Sequence, residues 1–283
     1  MSTMAVTSHR GAGVEIRGVD ARTADDTTFD EIRDLFQHHG LLFLRAQQLS
    51  ETDHIALAQR LGTINVNRFF VKHPEHPEIA MVTKEADQRV NVGGFWHTDH
   101  SYDTEPALGS ILVARDLPTS GGNTRFLSTY DAFDALPPKL QHRLRGMRAV
   151  HSAKHAFGTT ASRIREWIDP QARSENTQLA DELGTVTHPV VIRHPLSGRE
   201  ALFINPSFTV RFEGWSVLRS APLLAQIYTR VLRSGGIANF RWEPGSVAIW
   251  DNRATWHNAK NDYRGQRREM HRITLDGCAL DAT

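Results

Sequence analysis

The segment 95–102 has the sequence FWHTDHSY and places His97 two positions before Asp99. In a β-strand, side chains two positions apart leave the same face, so this imidazole and this carboxylate can hold one metal ion together. An octahedral ion held in this way needs a third protein ligand, and its other positions stay open to small molecules. An H-x-D pattern alone is also common at polar strand ends on protein surfaces. A metal site therefore requires a fold that brings a distant ligand to this pair.

A second polar block lies far down the chain and supplies such a ligand. It begins with WDNRATWH over residues 250–257, and RREMHRIT follows over residues 267–274. His257 would complete a set of two imidazoles and one carboxylate. This set is the facial triad of non-haem Fe(II) oxygenases.

The two blocks together resemble the taurine dioxygenase and 2,4-D dioxygenase (TauD/TfdA) family of Fe(II)- and 2-oxoglutarate-dependent enzymes. The family pattern is H-x-D, a long gap, a His, an Arg eleven residues later and a second Arg four residues further on. His257, Arg268 and Arg272 have these spacings. Thr124, twenty-five residues after Asp99, matches a family threonine that helps to hold 2-oxoglutarate. The resemblance covers nearly the whole chain.

The resemblance implies both a fold and a metal centre. The fold is a double-stranded β-helix, or jelly roll, with the metal at one mouth of the barrel. The expected metal is Fe(II), held by His97, Asp99 and His257. The same three ligands would also accept Zn(II) or Mn(II).

The resemblance also implies a reaction. Thr124 and Arg268 are expected to hold the far carboxylate of 2-oxoglutarate, whereas Arg272 faces either the substrate or the cosubstrate. The enzyme would use O2, convert 2-oxoglutarate to succinate and CO2, and hydroxylate a small anionic substrate. A sulfonate, an alkyl sulfate, an aryloxyalkanoate and another carboxylate all fit this description.

The two arginines can also be interpreted from their spacing. Arg268, Met270 and Arg272 alternate, so both guanidinium groups share one face if the last strand is regular. Burying both groups in a barrel without anions would be costly, and the guanidinium fork binds carboxylate or sulfonate bidentately. A surface ion pair with Glu269 is the alternative. His271 is predicted on the opposite face, outside the site.

The residues before the H-x-D motif differ from the taurine pattern. Taurine dioxygenases have a histidine there that helps to hold the sulfonate, and the corresponding position in this chain is near Arg68. This difference disfavours taurine as the substrate. Arg68 can still bind an anion, and Phe69 and Phe70 can form an apolar wall or belong to the core.

Two other classes of function share this ligand set. A zinc hydrolase would use a metal-bound water as its nucleophile. A cupin-like metal-binding protein would bind without turnover. The zinc hydrolase leaves Thr124, Arg268 and Arg272 unexplained, and O2 consumption coupled to succinate formation would distinguish an oxygenase from both classes.

Composition narrows the class of protein further. At 283 residues the chain is predicted to form one domain over 1–283, with no repeat and no linker. Lys plus Arg number 33 against 32 for Asp plus Glu, so we expect neither nucleic-acid nor membrane binding. The single cysteine, Cys278, and an N-terminus without an apolar run favour a cytoplasmic protein. We also expect a homo-oligomer.

Periodicity predicts a β-rich α+β fold with flanking helices. Helices are expected from Thr27 or Thr28, from Ser50 to Gly62, and over 128–136, 138–147 and 220–233. Strands are expected over 13–20, 40–44, 77–83, 107–114, 187–193, 200–204, 239–242, 246–250 and 271–275. The polar segment 154–182 has few regularly spaced apolar residues and is predicted to be a long loop. It is expected to act as a lid over the site, although a passive surface loop is the alternative.

Overall fold

The computed structural model describes residues 4–170 and 176–283. The strands in these residues are β1 (Ala5–Ser8), β2 (Val14–Arg17), β3 (Leu41–Leu44), β4 (Ile64–Asn65), β5 (Ala80–Lys84), β6 (Gly109–Asp116), β7 (Thr124–Ser128), β8 (Arg148–His151), β9 (Val186–Pro189), β10 (Val191–Arg193), β11 (Glu200–Leu202), β12 (Thr209–Phe212), β13 (Ile237–Phe240), β14 (Val247–Asp251), β15 (Thr255–Ala259) and β16 (Arg268–Leu275). The helices are α1 (Asp26–His39), α2 (Glu51–Leu61), α3 (Thr129–Asp134), α4 (Pro138–Arg145), α5 (Lys154–Phe157), α6 (Thr159–Ile168), α7 (Thr177–Glu182) and α8 (Val217–Arg233). The predicted β-rich α+β fold is confirmed.

The largest sheet has the strand order β1-β2-β3-β14-β6-β16-β4, and β5 also pairs with β16. All of its pairs are antiparallel except β2 with β3. Strands β3 and β14 are buried along their whole length, as their apolar sequences LLFL and VAIWD favour. Helices α1 and α2 cover one face of the sheet, where Phe36 and Leu57 pack in a cluster with Ile111.

A second sheet, β13-β7-β15, packs against the opposite face of the largest sheet. Phe43 of β3 stacks on Phe240 of β13 with ring centroids 4.1 Å apart, and Trp250 of β14 lies 5.6 Å from Phe126 of β7. Met270 of β16 is buried in the same apolar cluster. The two neighbours of Met270 on its strand face, Arg268 and Arg272, therefore point into the space between the two sheets.

The predicted single strand over 187–193 is wrong, because the chain breaks it into β9 and β10. Strand β9 joins the sheet β12-β8-β9, whereas β10 pairs only with β11 among the described strands. Val190 lies at the break, where its N–H donates to Met147 O and its carbonyl accepts from Phe203 N. The backbone groups of Val190 therefore bind neighbours of both sheets, at the point where the chain leaves one sheet for the other. The apolar residues run on through this point, so the sequence does not indicate the change of partner strand.

Helix starts follow short local signals, with one correction. Ser50 caps α2 with a complete capping box, since its side chain accepts from Asp53 N and the Asp53 carboxylate accepts from Ser50 N. Helix α1 is capped by Asp25, not by Thr27 or Thr28, and the Asp25 carboxylate accepts from Thr28 N. Among the described residues, no helix is both long and apolar enough to cross a membrane.

The prediction that 154–182 is an irregular loop is also wrong. The segment contains the short helices α5, α6 and α7, apart from residues 171–175, which lie outside the described residues. Phe157 and Ala180 pack in an apolar cluster with Phe69, Tyr102 and Phe208. Each helix is too short to show a repeated apolar stripe in the sequence, and tertiary packing supplies most of the stability of short helices.

Candidate metal and cosubstrate site

The His97 segment lies between β5 and β6 and pairs with β15 at a single point. His97 N donates to His257 O over 3.1 Å, and His257 N donates to His97 O over 2.8 Å. His97 is thus on an isolated antiparallel bridge and Asp99 is in a turn. The expected continuous β-strand through both residues is wrong, yet both side chains point to the same place.

The structure brings the three predicted metal ligands together. His97 Nε2 lies 3.7 Å from Asp99 Oδ1, and His257 Nε2 lies 3.6 Å from Asp99 Oδ2. One ligand atom from each residue falls within 4.8 Å of the others, and all three residues are buried. His97 Nδ1 lies 2.8 Å from Phe95 O, so it donates there and leaves Nε2 as the free ligand atom.

The electrostatics of these groups suit a divalent cation. Burial would raise the pKa of Asp99, but Arg272, His257, His97 and His100 outweigh this effect and hold that pKa well below its usual range. Burial, with a contribution from the charge of His97, lowers the pKa of His257 well below its usual value. At neutral pH the carboxylate is therefore ionised and the His257 imidazole is neutral, which are the states that ligate a metal.

Arg272 lies beside the ligand set. Its Nη1 donates to both oxygens of Asp99, over 3.3 and 3.2 Å. Its guanidinium carbon lies 4.5 Å from the centroid of the Phe70 ring. Its Nε is buried and has no hydrogen-bond partner among the described residues. Arg272 can therefore bind a further anion next to the predicted metal ligands.

Arg268, the first residue of β16, lies four residues before Arg272 on the same strand face and next to Thr124. Arg268 Nη2 donates to Thr124 Oγ1 over 3.5 Å, and the same oxygen accepts from Trp242 Nε1 over 2.9 Å. Burial lowers the pKa of Arg268, and its Nε has no partner among the described residues. The predicted pair of Arg268 and Thr124 thus forms a buried cationic end of the same inter-sheet space.

Arg68 and Phe69, which were candidates for the substrate pocket, have partners of their own. Arg68 forms an ion pair with Asp103, so its charge is already matched. Phe69 and Phe208 belong to the aromatic cluster, and the Phe208 ring centroid lies 6.3 Å from that of His97. Sequence reasoning missed Phe208, because no pattern around it marks proximity to the metal ligands.

His271 lies outside the site, as its strand face predicted. It groups with Glu51 and His73 in a second set of possible metal ligands. Arg115 Nε donates to His271 Nδ1 over 3.1 Å, and Arg115 Nη2 lies 3.4 Å from Glu51. A guanidinium cation therefore already occupies the position that a metal would take.

Comparison with known proteins identifies the family. Residues 5–274 match the model of the "Taurine catabolism dioxygenase TauD, TfdA family", and the chain belongs to this family. It is 33% identical to an alpha-ketoglutarate-dependent sulfate ester dioxygenase of Pseudomonas putida, over 94% of this chain and 86% of the relative. It is 32% identical to the alpha-ketoglutarate-dependent 2,4-dichlorophenoxyacetate dioxygenase of Cupriavidus pinatubonensis, over 97% and 98%.

A solved structure agrees with these relatives. A taurine dioxygenase from Burkholderia xenovorans superposes with a TM-score of 0.81 at 26% identity, covering 99% of this chain and 93% of the other. Family membership confirms the prediction of an Fe(II)- and 2-oxoglutarate-dependent dioxygenase, an oxidoreductase that uses O2.

Proposed function

We propose that this enzyme hydroxylates a small organic anion with an apolar body at a centre held by His97, Asp99 and His257. The convergence of these three side chains in one buried pocket is the observation that carries the proposal. Two imidazole nitrogens and one carboxylate, with further coordination positions open, fit Fe(II). When bound, the iron couples oxidative decarboxylation of 2-oxoglutarate to succinate and CO2 with transfer of one oxygen atom of O2 to a substrate carbon.

The cosubstrate is proposed to lie along β16. Arg268 and Thr124 hold its far carboxylate, because they form a buried cationic end that has no carboxylate partner among the described residues. A charge-assisted fork from Arg268 fixes the direction of the molecule as well as its affinity. The near end then lies towards Asp99 and the two histidines.

The substrate is proposed to bind between Arg272 and the aromatic cluster. The Arg272 guanidinium supplies the anion contact, and Phe70 lies directly beside it. Phe157 and Phe208 supply an apolar wall near His97. An alkyl sulfate or an aryloxyalkanoate fits such a pocket better than taurine, whose charged amine would lie among apolar rings. The named activities of the relatives on sulfate esters and on 2,4-dichlorophenoxyacetate support this choice.

The fold is proposed to be the double-stranded β-helix of one domain over 1–283, with 154–182 as a lid. The face-to-face packing of the two sheets around the pocket supports the β-helix. Phe157 of α5 supports the lid, since its ring stacks on Phe69 with centroids 4.7 Å apart. A closed lid excludes water from the reacting atoms.

Three further predictions are not tested by the structure. They are the homo-oligomeric state, the absence of nucleic-acid and membrane partners, and the cytoplasmic location.

A panel of anions tests the proposed substrate class. Purified Fe(II) protein is incubated with 2-oxoglutarate, O2 and equal concentrations of medium-chain alkyl sulfates, aryloxyacetates and taurine, and succinate release is measured. We expect release above the substrate-free rate with an alkyl sulfate or an aryloxyacetate, and little with taurine. Release with taurine alone would contradict the proposed apolar pocket. A zinc hydrolase would instead cleave the esters without O2, and a binding protein would give no product.

A further inference from the structure

Lys84, the last residue of β5, lies opposite Arg268 in the antiparallel pair of β5 with β16. Directly opposed residues of an antiparallel pair project to the same side of the sheet. Val82 and Met270 form the next opposed pair on that side and pack in the core between the two sheets. The Lys84 side chain therefore enters the same inter-sheet space as the Arg268 guanidinium.

The burial of Lys84 is unusual for its residue type. Lysine normally keeps its ammonium in water and is almost never fully buried unless it is paired. Lys84 is only 3% exposed, and its Nζ has no hydrogen-bond partner among the described residues. The Lys84 Nζ lies over the face of the Tyr263 ring, 4.7 Å from the ring centroid. A cation–π contact offsets only part of the cost of burying an ammonium.

The positive charge of Lys84 is not matched by an ion pair among the described residues. Burial lowers the pKa of the Lys84 ammonium, and the carboxylates of Asp169 and Asp87 raise it less. No ion pair of Lys84 occurs among the described residues, and Arg268 carries a second positive charge nearby. Two like charges on one wall of a pocket repel each other until a carboxylate enters between them.

The pairing of β5 with β16 also shows which end of the cosubstrate pocket Lys84 lies at. Ala80 lies opposite Arg272, whose guanidinium contacts Asp99, whereas Lys84 lies opposite Arg268, which contacts Thr124. The metal end and the far end of the cosubstrate pocket are thus separated along the same two strands. Lys84 belongs to the far end.

We propose that Lys84 is a second cation of the cosubstrate site and that its ammonium binds the far carboxylate of 2-oxoglutarate together with Arg268 and Thr124. This proposal rests on the proposed function, which places the cosubstrate along β16. It assigns to Lys84 a role in selecting 2-oxo acids that carry a second carboxylate. Losing a hydrogen bond to a charged group corresponds to about a ten- to hundredfold loss of affinity.

Calorimetric titration of the anaerobic Fe(II) protein tests the proposal with two probes. 2-Oxoglutarate reaches both ends of the pocket, whereas oxalate chelates the metal but is too short to reach Lys84. We expect Lys84→Met to raise the Kd of 2-oxoglutarate by about ten- to hundredfold and to leave the Kd of oxalate unchanged. The matched control is Lys139→Met, at an exposed lysine of α4, which should change neither value.

Two outcomes would overturn the role of Lys84. An unchanged affinity of Lys84→Met for 2-oxoglutarate is one, and equal weakening of 2-oxoglutarate and oxalate, which indicates a structural role, is the other. Arg268→Met is measured in parallel, and it should weaken 2-oxoglutarate alone. If Arg268→Met weakens 2-oxoglutarate and Lys84→Met does not, only the role of Lys84 fails. If neither variant weakens it, the proposed placement of the cosubstrate fails as well. Lys84→Gln provides a second neutral variant in case Lys84→Met folds poorly.

Discussion

His97 and His257, which are far apart in the sequence, exchange a pair of backbone hydrogen bonds of 3.1 and 2.8 Å. These bonds hold the two segments at a fixed separation, and the imidazole centroids lie 4.0 Å apart. Because the contact uses main-chain atoms, the segments should stay together when either imidazole is removed. Loss of metal in a histidine variant can therefore be separated from loss of fold.

The ion pair of Asp99 with Arg272 should contribute strongly to the free energy of unfolding of the metal-free protein. Both residues are buried, and removing one partner leaves a buried charge unpaired. We expect Asp99→Ala to lower the free energy of unfolding by about 3–5 kcal/mol. The double variant Asp99→Ala/Arg272→Met should recover most of this loss. Urea unfolding of the metal-free proteins measures both values, and a double variant no more stable than Asp99→Ala would show that the pair is not coupled.

Local patterns predicted the parts of the fold and of the site that depend on a few neighbouring residues. The shared face of Arg268 and Arg272 follows from strand alternation, and the start of α2 follows from the Ser50 capping box. The family spacing predicted His257 and Thr124. Each of these features is encoded in residues that lie close together or in a motif of fixed spacing.

Non-local contacts could not be predicted in the same way. The position of Lys84 beside Arg268 depends on the register of β5 against β16, which no local pattern specifies. The ion pair of Arg68 with Asp103 likewise depends on how a loop folds back. The short helices within 154–182 depend on tertiary apolar contacts such as that of Phe157 with Phe69. The polar local sequence does not show these contacts, so the prediction of an irregular loop was wrong.

The two arginines of β16 should separate by role. Arg268→Ala should raise the apparent KM for 2-oxoglutarate about ten- to hundredfold, since a charge-assisted contact contributes about 1.5–3 kcal/mol. Arg272→Ala should mainly raise the KM for the primary substrate, because Arg272 lies beside Phe70 and the metal ligands. Kinetics that vary each ligand in turn measure both effects. The opposite pattern, with 2-oxoglutarate affinity lost only in Arg272→Ala, would show that the roles are exchanged.

The segment 154–182 should respond to ligands if it is a lid. Limited proteolysis of the ligand-free protein is expected to cut first within this segment, because its short helices share few contacts with the two main sheets. Fe(II), 2-oxoglutarate and a true substrate should together slow the cut, since closure packs the segment over the site. Cleavage is followed by mass spectrometry under anaerobic conditions. Equal rates with and without the ligands would leave 154–182 as a passive surface segment.

Two buried histidines should make the protein less stable in acid. Burial is the main cause that lowers the pKa of His54 to about 3 and that of His151 to about 3, whereas both are near 6.5 when unfolded. The unfolded state binds more protons between these values, so stability should fall as the pH drops from about 6.5 towards 3. For His54, the nearby charges of Arg115 and His271 act in the same direction.

A single substitution isolates the contribution of His54. His54→Leu should reduce the pH dependence of the unfolding free energy by up to about 1.4 kcal/mol per pH unit within this window. The exposed His142 of α4 provides the matched control, and His142→Leu should leave the slope unchanged. Urea unfolding at several pH values between 4 and 7 gives the slopes. A slope for His54→Leu equal to that of the wild type would show that His54 binds its proton equally well in both states.

Whether His97, Asp99 and His257 form the iron centre is tested directly by the coupling of O2 uptake to succinate formation. This coupling is measured in the wild type and in His97→Ala, Asp99→Ala and His257→Ala. With Fe(II), 2-oxoglutarate and an accepted anion, the wild type should consume O2 and form succinate in equimolar amounts. The three variants should retain the far-ultraviolet circular dichroism of the wild type, bind little iron and form no succinate, because the facial site needs all three ligands. Succinate formation at the wild-type rate in any of the three variants, or wild-type turnover without O2, would contradict an Fe(II)-dependent oxygenase centre at these residues.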